Sequence, residues 1–292
     1  MFAVALALLS AVSFGASDYA AGLATRAANV FQVTIVAQLT SLVLALLVVP
    51  WLGPFRLSAA AAGWGAVSGI AGVFGAMMLY LGFRHAAFSV ASTLSAVGAA
   101  ALSLLAGLLY GERPSALALA GIALALPAIA AISASPGAAG DAPPSRGRAV
   151  TGRHLAGVGY GLVAGACFAL YFIALDRAGS GSGLWPVIVG EAVALPVLVS
   201  CAAPTGQLGL PSPGSRSLSV ATGATGVAGA MLYFVASHHG LLAITAVITS
   251  LYPGGTILLA RIRLGERLSP VRLAGLALAG ASVALIAVAG AG

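Results

Sequence analysis

Two carboxylates stand inside long apolar stretches of this sequence. Asp18 lies in Phe14-Gly15-Ala16-Ser17-Asp18-Tyr19, and Glu191 lies in Trp185-Pro186-Val187-Ile188-Val189-Gly190-Glu191-Ala192. An ionisable group inside a bilayer costs at least a few kcal/mol, so by default it marks a function. The chemistry open to such a carboxyl is to gain and lose a proton, or to hold the ammonium group of a substrate. Blander uses of the same residues are a helix-end or interfacial position for Asp18 and a hydrogen-bonded packing position for Glu191.

Hydroxyl and aromatic groups add to this pair. Thr245, Thr249, Tyr252 and Thr256 recur at i, i+4, i+7 and i+11, which places them in one stripe on a helical face. Pro253 lacks the amide hydrogen that would bond the carbonyl of Thr249, so a kink is expected there, leaving that acceptor to a ligand or to water. Ser92, Thr93 and Ser95 form a smaller group of hydroxyls earlier in the chain. Packing between helices is the other use of such hydroxyls. Tyr80, Tyr171 and Tyr233, the last followed by Phe234, could sandwich an apolar or cationic substrate or anchor span ends at the interface. His238-His239 follows an apolar run and reads as a solvated or headgroup-facing pair. Cys167 and Cys201 fall in apolar runs, where a thiol behaves as a small hydrophobe. The sequence has no metal-ligand spacing, no phosphate-cradling glycine loop and no nucleophile elbow, so no metal, cofactor or enzymatic activity is expected.

The elements that must position these groups follow from composition. Of 292 residues, 60% are hydrophobic and 7% charged, too few charges to cover a water-soluble globule of that size. Apolar runs long enough to cross a hydrocarbon core of ~30 Å recur throughout. Ten spans are expected, at 3–23, 30–50, 59–82, 87–109, 116–134, 155–175, 184–203, 218–236, 241–262 and 270–290. The runs do not alternate polar with apolar, which excludes a barrel and leaves an all-α membrane protein. The first run has no basic residues before it and reads as a retained span. The net charge of +7 comes from arginines near span boundaries, for lysine is absent. Such charge speaks of topology and lipid headgroups; nucleic-acid binding would need a soluble basic face.

A duplication turns the spans into an architecture. Gly111-Glu112-Arg113-Pro114-Ser115 has a near twin at Gly265-Glu266-Arg267-Leu268-Ser269, 154 residues on. The same offset carries Gly75-Ala76-Met77 onto Gly229-Ala230-Met231, Phe14 onto Phe168, Gly69 onto Gly223, Gly72 onto Gly226 and His85 onto His239. The halves are expected at 1–134 and 154–292, with a Pro-, Gly- and Ser-rich aqueous linker at 135–153. Five spans per half, an odd number, make the two copies cross the membrane in opposite senses. The offset pairs Asp18 with Phe172 and Glu191 with Ala37, so neither charge is repeated and each would serve a task done once per molecule. Ser115 and Ser269 are expected to cap the helices after the Gly-Glu-Arg turns. Gly65/Gly69 and Gly161/Gly165 are small-xxx-small pairs for close helix packing inside one chain or between two, which bounds the assembly to a monomer or a weak homodimer.

The whole pattern resembles the EamA branch of the drug/metabolite transporter superfamily. The resemblance is carried by Ser250-Leu251-Tyr252-Pro253-Gly254-Gly255-Thr256, by Leu264-Gly265-Glu266-Arg267-Leu268-Ser269 and by Leu273-Ala274-Gly275, together with Phe14 to Tyr19. It implies a ten-helix secondary transporter, usually an exporter of small metabolites, with a central cavity lined by helices 1, 3, 4, 6, 8 and 9 and with cytoplasmic termini. Arginines bear on sidedness too. Only Arg56, Arg113 and Arg177 follow even-numbered spans, while the rest, Arg26, Arg84 and Arg146 among them, follow odd-numbered ones. That bias puts both termini outside, opposite to what the resemblance implies.

The expectation is a multi-pass protein of a bacterial-type inner membrane, contacting lipid and a small-molecule substrate. It would export that substrate by alternating access, its halves rocking about a midplane site formed by Asp18, Tyr80, Ser92, Tyr171, Tyr233, Thr245, Thr249 and Tyr252. Asp18 and Glu191 would couple transport to protons. A flippase for lipids or lipid-linked sugars, and a membrane assembly subunit that transports nothing, are the alternatives.

Overall fold

A computed structural model describes residues 1–53, 55–85, 88–133, 149–264 and 268–289. Among these the chain forms eleven α-helices and two short 3₁₀ turns. They are α1 (Phe2–Ala24), α2 (Val30–Leu52), α3 (Ala59–His85), α4 (Phe88–Leu109), α5 (Ala116–Ser133), α6 (Ala149–Arg177), α7 (Trp185–Ala202), α8 (Pro213–Ser237), α9 (Leu242–Thr249), α10 (Tyr252–Leu264) and α11 (Pro270–Ala289). Ten stretches are long and apolar enough to cross a membrane, because α9 and α10 share one of them, Leu242–Arg263. Large apolar side chains lie exposed along the bundle's outside, among them Leu47, Leu105, Leu162 and Ile262, as a lipid-facing surface requires. Of the linker expected at 135–153, residues 135–148 lie outside the described residues, and those from Ala149 on are already helical.

The division of the ninth span has a local cause. A proline ring collides with the carbonyl four residues back, and for Pro253 that residue is Thr249. There α9 ends. The turn between α9 and α10 tightens to three-residue bonds, Leu251 N–H to the Ile248 carbonyl at 3.1 Å and Gly254 N–H to the Leu251 carbonyl at 2.8 Å. Helix starts follow their capping chemistry. The hydroxyl of Ser115 accepts from Ala118 N–H at 3.2 Å, that of Ser269 from Arg272 N–H at 3.3 Å, and the side-chain Oδ1 of Asn29 from Phe31 N–H at 2.9 Å.

The two halves meet through reciprocal contacts. A Cβ added at Gly75 would press on the Phe168 ring, and one at its twin Gly229 would press on Phe14, the twin of Phe168. Gly121 likewise faces Ile286, and its twin Gly275 faces Ile132, the twin of Ile286. Contacts of i with j and of their twins in exchange are the signature of a two-fold axis between like modules. Thus α1 lies on α8 as α6 lies on α3, and α2 and α7, each the other's twin, touch at the axis. With five spans per half, the copies are inverted. The small-residue pairs serve this internal packing: Gly65 and Gly69 seat α3 on Pro186 and Gly190 of α7, and Gly161 and Gly165 seat α6 on Ala91 and Ser95 of α4.

The first Gly-Glu-Arg turn joins the halves at one end of the bundle. Gly111 takes φ 88, the left-handed conformation that glycine adopts without strain. The turn brings the carboxylate of Glu112 onto the first amides of α9, where it accepts from Leu242 N–H at 2.6 Å and Ala243 N–H at 2.9 Å. A carboxylate on a helix N-terminus satisfies orphan donors and meets the positive end of the helix dipole. Beside it the guanidinium of Arg177 lies 4.8 Å from the centre of the Tyr110 ring.

Candidate functional site

A cavity of about 60 Å³ lies where α2, α3, α6 and α7 converge. Glycine makes it possible. A Cβ at Gly69 would overlap the carbonyl of Gly190, and one at Gly72 would lie 3.3 Å from the Tyr171 ring, so α3 approaches both α7 and α6 with no side chain between. The polar wall consists of Gln38 from α2, Ser68 from α3, Tyr171 from α6 and Glu191 from α7.

The carboxylate of Glu191 accepts a hydrogen bond from the amide nitrogen of Gln38, which also reaches the Glu191 backbone carbonyl at 3.3 Å. Among the described residues no cation forms an ion pair with Glu191. Ser68 is fully buried and donates its hydroxyl proton to the Gly65 carbonyl at 2.7 Å, so what remains on its oxygen is acceptor capacity. Tyr171 is half-buried, with its ring edge-on to Phe14 at 6.5 Å and to Phe172 at 5.6 Å between centroids.

The residues expected at one midplane site are distributed differently. Tyr171 and Glu191 share the cavity, although Glu191 was expected to act apart from the substrate residues. Asp18 is exposed on α1 and does not line this cavity; next to it the Ser17 hydroxyl donates to the Thr222 carbonyl at 2.9 Å. Tyr233 is a core residue: it is fully buried, lies 4.6 Å from Phe172 between ring centroids and donates its hydroxyl to the Phe172 carbonyl at 3.1 Å. Within the hydroxyl stripe, Thr249 and Thr256 turn to α1 instead of a chamber. Thr245 and Thr249 are fully buried, the first bonding the Leu241 carbonyl at 3.0 Å and the second reaching the Ala7 carbonyl at 3.5 Å. Thr256 bonds the Gly15 carbonyl at 3.1 Å, and a Cβ at Gly15 would lie 2.7 Å from the Tyr252 carbonyl oxygen. The reason is the small side chains Ala7, Ala11 and Gly15, which let α1 seat directly on α9 and α10. Ser92 is half-buried on α4, outside the cavity wall. Tyr80 belongs to α3, and its side chain lies outside the described residues. His238 and His239 close the end of α8, each with Nδ1 on a carbonyl one turn back, Phe234 at 2.7 Å and Val235 at 2.8 Å.

Gln38 and Ser68 had not been singled out. A usable signal existed for Gln38. Its neighbour Ala37 is the repeat twin of Glu191, and where twin helices touch at a two-fold axis, a residue lies near its own twin.

The sequence comparison agrees with this architecture. Residues 155–288 match the model of the EamA-like transporter family. The carboxy-terminal repeat is an EamA-like transporter module. The family is part of the drug/metabolite transporter superfamily and is one of multi-span membrane transporters of small molecules. A solved structure described only as "Crystal structure of protein" superposes with a TM-score of 0.76 at 17% identity, over 97% of this chain and 95% of that one. At that identity the likeness is one of fold. A search of curated proteins found no match.

Proposed function

We propose that this EamA-like protein is a secondary transporter that exports small organic molecules by alternating access, with Glu191 as its proton-coupling group. The observation that carries the reading is a carboxylate without a cationic partner among the described residues, set in the interface between two inverted halves and present in one copy only. Inverted modules around an axis supply the mechanism, since exchanging their conformations opens the opposite face. An intramembrane carboxylate that no cation compensates is a group whose charge state can change during that exchange. Asp18, exposed on α1, is the second candidate for the proton path. The protein acts in this reading as a multi-pass component of a bacterial-type inner membrane.

Reconstitution in proteoliposomes tests it. A panel of radiolabelled metabolites is followed with and without a pH gradient, for the wild type, Asp18→Asn and Glu191→Gln. The expected result is flux that the gradient accelerates and that Glu191→Gln uncouples, leaving gradient-independent exchange. Identical flux in all proteins, with and without the gradient, would end the proton-coupling assignment. Absence of flux for the whole panel, together with a cysteine at Ala194 of the cavity wall that can be labelled from one side only, would end the transporter reading.

A further inference from the structure

We propose that the cavity bounded by Gln38, Ser68, Tyr171 and Glu191 binds a compact primary ammonium group, so that the transported molecules are primary amines with no carboxylate beside the amine. This rests on the transporter reading and gives it a substrate class.

The chemistry of the wall selects the ligand. The Glu191 carboxylate has room for about four hydrogen bonds, and the Gln38 amide fills part of that capacity. Ser68 has spent its proton on the Gly65 carbonyl and can only accept within the cavity. A carboxylate and a hydroxyl lone pair facing one small space call for a positively charged donor, and an ammonium carries three N–H groups. The ring of Tyr171, lining the same space, adds an aromatic surface that favours a cation.

Hydrogen-bonding capacity and charge narrow the class further. The oxygens of Glu191 and Ser68 are satisfied only by N–H or O–H donors. A CH₂–NH₃⁺ head supplies three N–H groups, and a trimethylammonium head supplies none. Among the described residues no arginine or histidine lines the cavity, and the chain has no lysine, so the carboxylate of an amino acid would meet Glu191 with no cation to compensate it. A bare hard metal ion wants about six oxygen ligands, more than this wall presents.

Binding to the purified full-length protein in detergent tests the assignment without any need for flux. Equilibrium dialysis with radiolabelled ethylammonium is compared with competition by tetramethylammonium, glycine and sodium chloride at matched ionic strength. The expected result is saturable ethylammonium binding that none of the three displaces, weakened about tenfold or more by Glu191→Gln through loss of the charged acceptor. A second variant, Gly72→Ala, narrows the cavity from the α3 side with its carboxylate intact and is expected to weaken binding as well. Absence of saturable binding in the wild type, wild-type affinity in both variants, or displacement by tetramethylammonium, sodium or glycine would overturn the proposal. Flux of other solutes without ethylammonium binding sinks this assignment alone. Ethylammonium binding by a protein that moves nothing sinks the transporter reading and leaves the site standing.

Discussion

Replacing Glu112 by Ala removes the carboxylate that spans the two halves at the start of α9. The wild-type group holds two amides, Leu242 at 2.6 Å and Ala243 at 2.9 Å, distances typical of charge-assisted bonds. Hydrogen bonds to a charged group contribute about 1.5–3 kcal/mol each, and a helix N-cap as a whole about 1 kcal/mol. Glu112 is half-buried and partly screened, so a local loss of about 2–3 kcal/mol is the reasonable scale. At 1.4 kcal/mol per factor of ten, the amides of residues 242 and 243 should exchange with deuterium about 30- to 150-fold faster in the variant. Glu112→Gln keeps one acceptor and loses the charge, and should fall between the two. The measurement is hydrogen–deuterium exchange with mass spectrometry in nanodiscs, read on peptides covering 241–249. The start of α2, capped independently by Asn29, serves as the internal reference and should not change. Exchange at 242–243 that stays within about threefold of wild type in Glu112→Ala, with the reference unchanged, would refute the latch and the energy assigned to it.

The two-fold contacts make a paired expectation: Gly69→Ala and Gly223→Ala each push a methyl into a backbone carbonyl, of Gly190 and of Ala37, and each should cost about 1–3 kcal/mol in thermal unfolding. Gly63→Ala, in the same helix as Gly69 but with open space around it, should instead be neutral or gain about 0.5–1 kcal/mol; equal behaviour of all three would show that α3 does not approach α7 closely. Pro253→Ala restores an amide able to bond the Thr249 carbonyl and should straighten α9 and α10 toward one helix, seen as a longer spin-label distance between positions 242 and 262. An unchanged distance would assign the break to the glycines that follow, Gly254 and Gly255. Ser282→Ala, deleting a buried 2.7 Å bond to the Gly121 carbonyl, should cost about 1 kcal/mol of stability.

Much of the architecture is legible in the sequence because membranes restrict the options. Continuous apolar runs admit only helices, so the ten spans follow from hydropathy, and the offset between the Gly-Glu-Arg turns gives the repeat and its inversion. Capping serines and Pro253 act through bonds to neighbours within four residues, which is why Ser115, Ser269 and the end of α9 at Thr249 could be foreseen. The stripe from Thr245 to Thr256 marks a helical face that avoids lipid, but periodicity does not say whether that face meets water or another helix. Here the neighbour is α1, whose Ala7 and Gly15 carbonyls accept the hydroxyls of Thr249 and Thr256, and only the tertiary arrangement reveals that. Tyr233 hides for the same reason: a hydroxyl that finds the Phe172 carbonyl is as well satisfied in a core as in a chamber. Glu191 and Gln38 are 153 residues apart, and their meeting depends on two twin helices touching at the axis.

The same symmetry shows how the place equivalent to the Glu191 cavity differs from it. The position related to Tyr171 is Ser17, that related to Ser68 is Thr222, and that related to Gly72 is Gly226. On the second side Ser17 sits against Gly226 as Tyr171 sits against Gly72, but the short hydroxyl turns to the Thr222 carbonyl and is satisfied there. Ala37 occupies the place of Glu191, so that position carries no carboxylate. Of the two equivalent places, one carries the small residues Ser17 and Ala37, and the other the ring of Tyr171 and the charge of Glu191. A duplicated transporter needs its halves alike in packing, so that two conformations can be exchanged, and unlike in chemistry, so that one ligand is held in one place. The glycines facing Phe14 and Phe168 meet the first requirement, and the divergence of Ser17 from Tyr171 and of Ala37 from Glu191 meets the second.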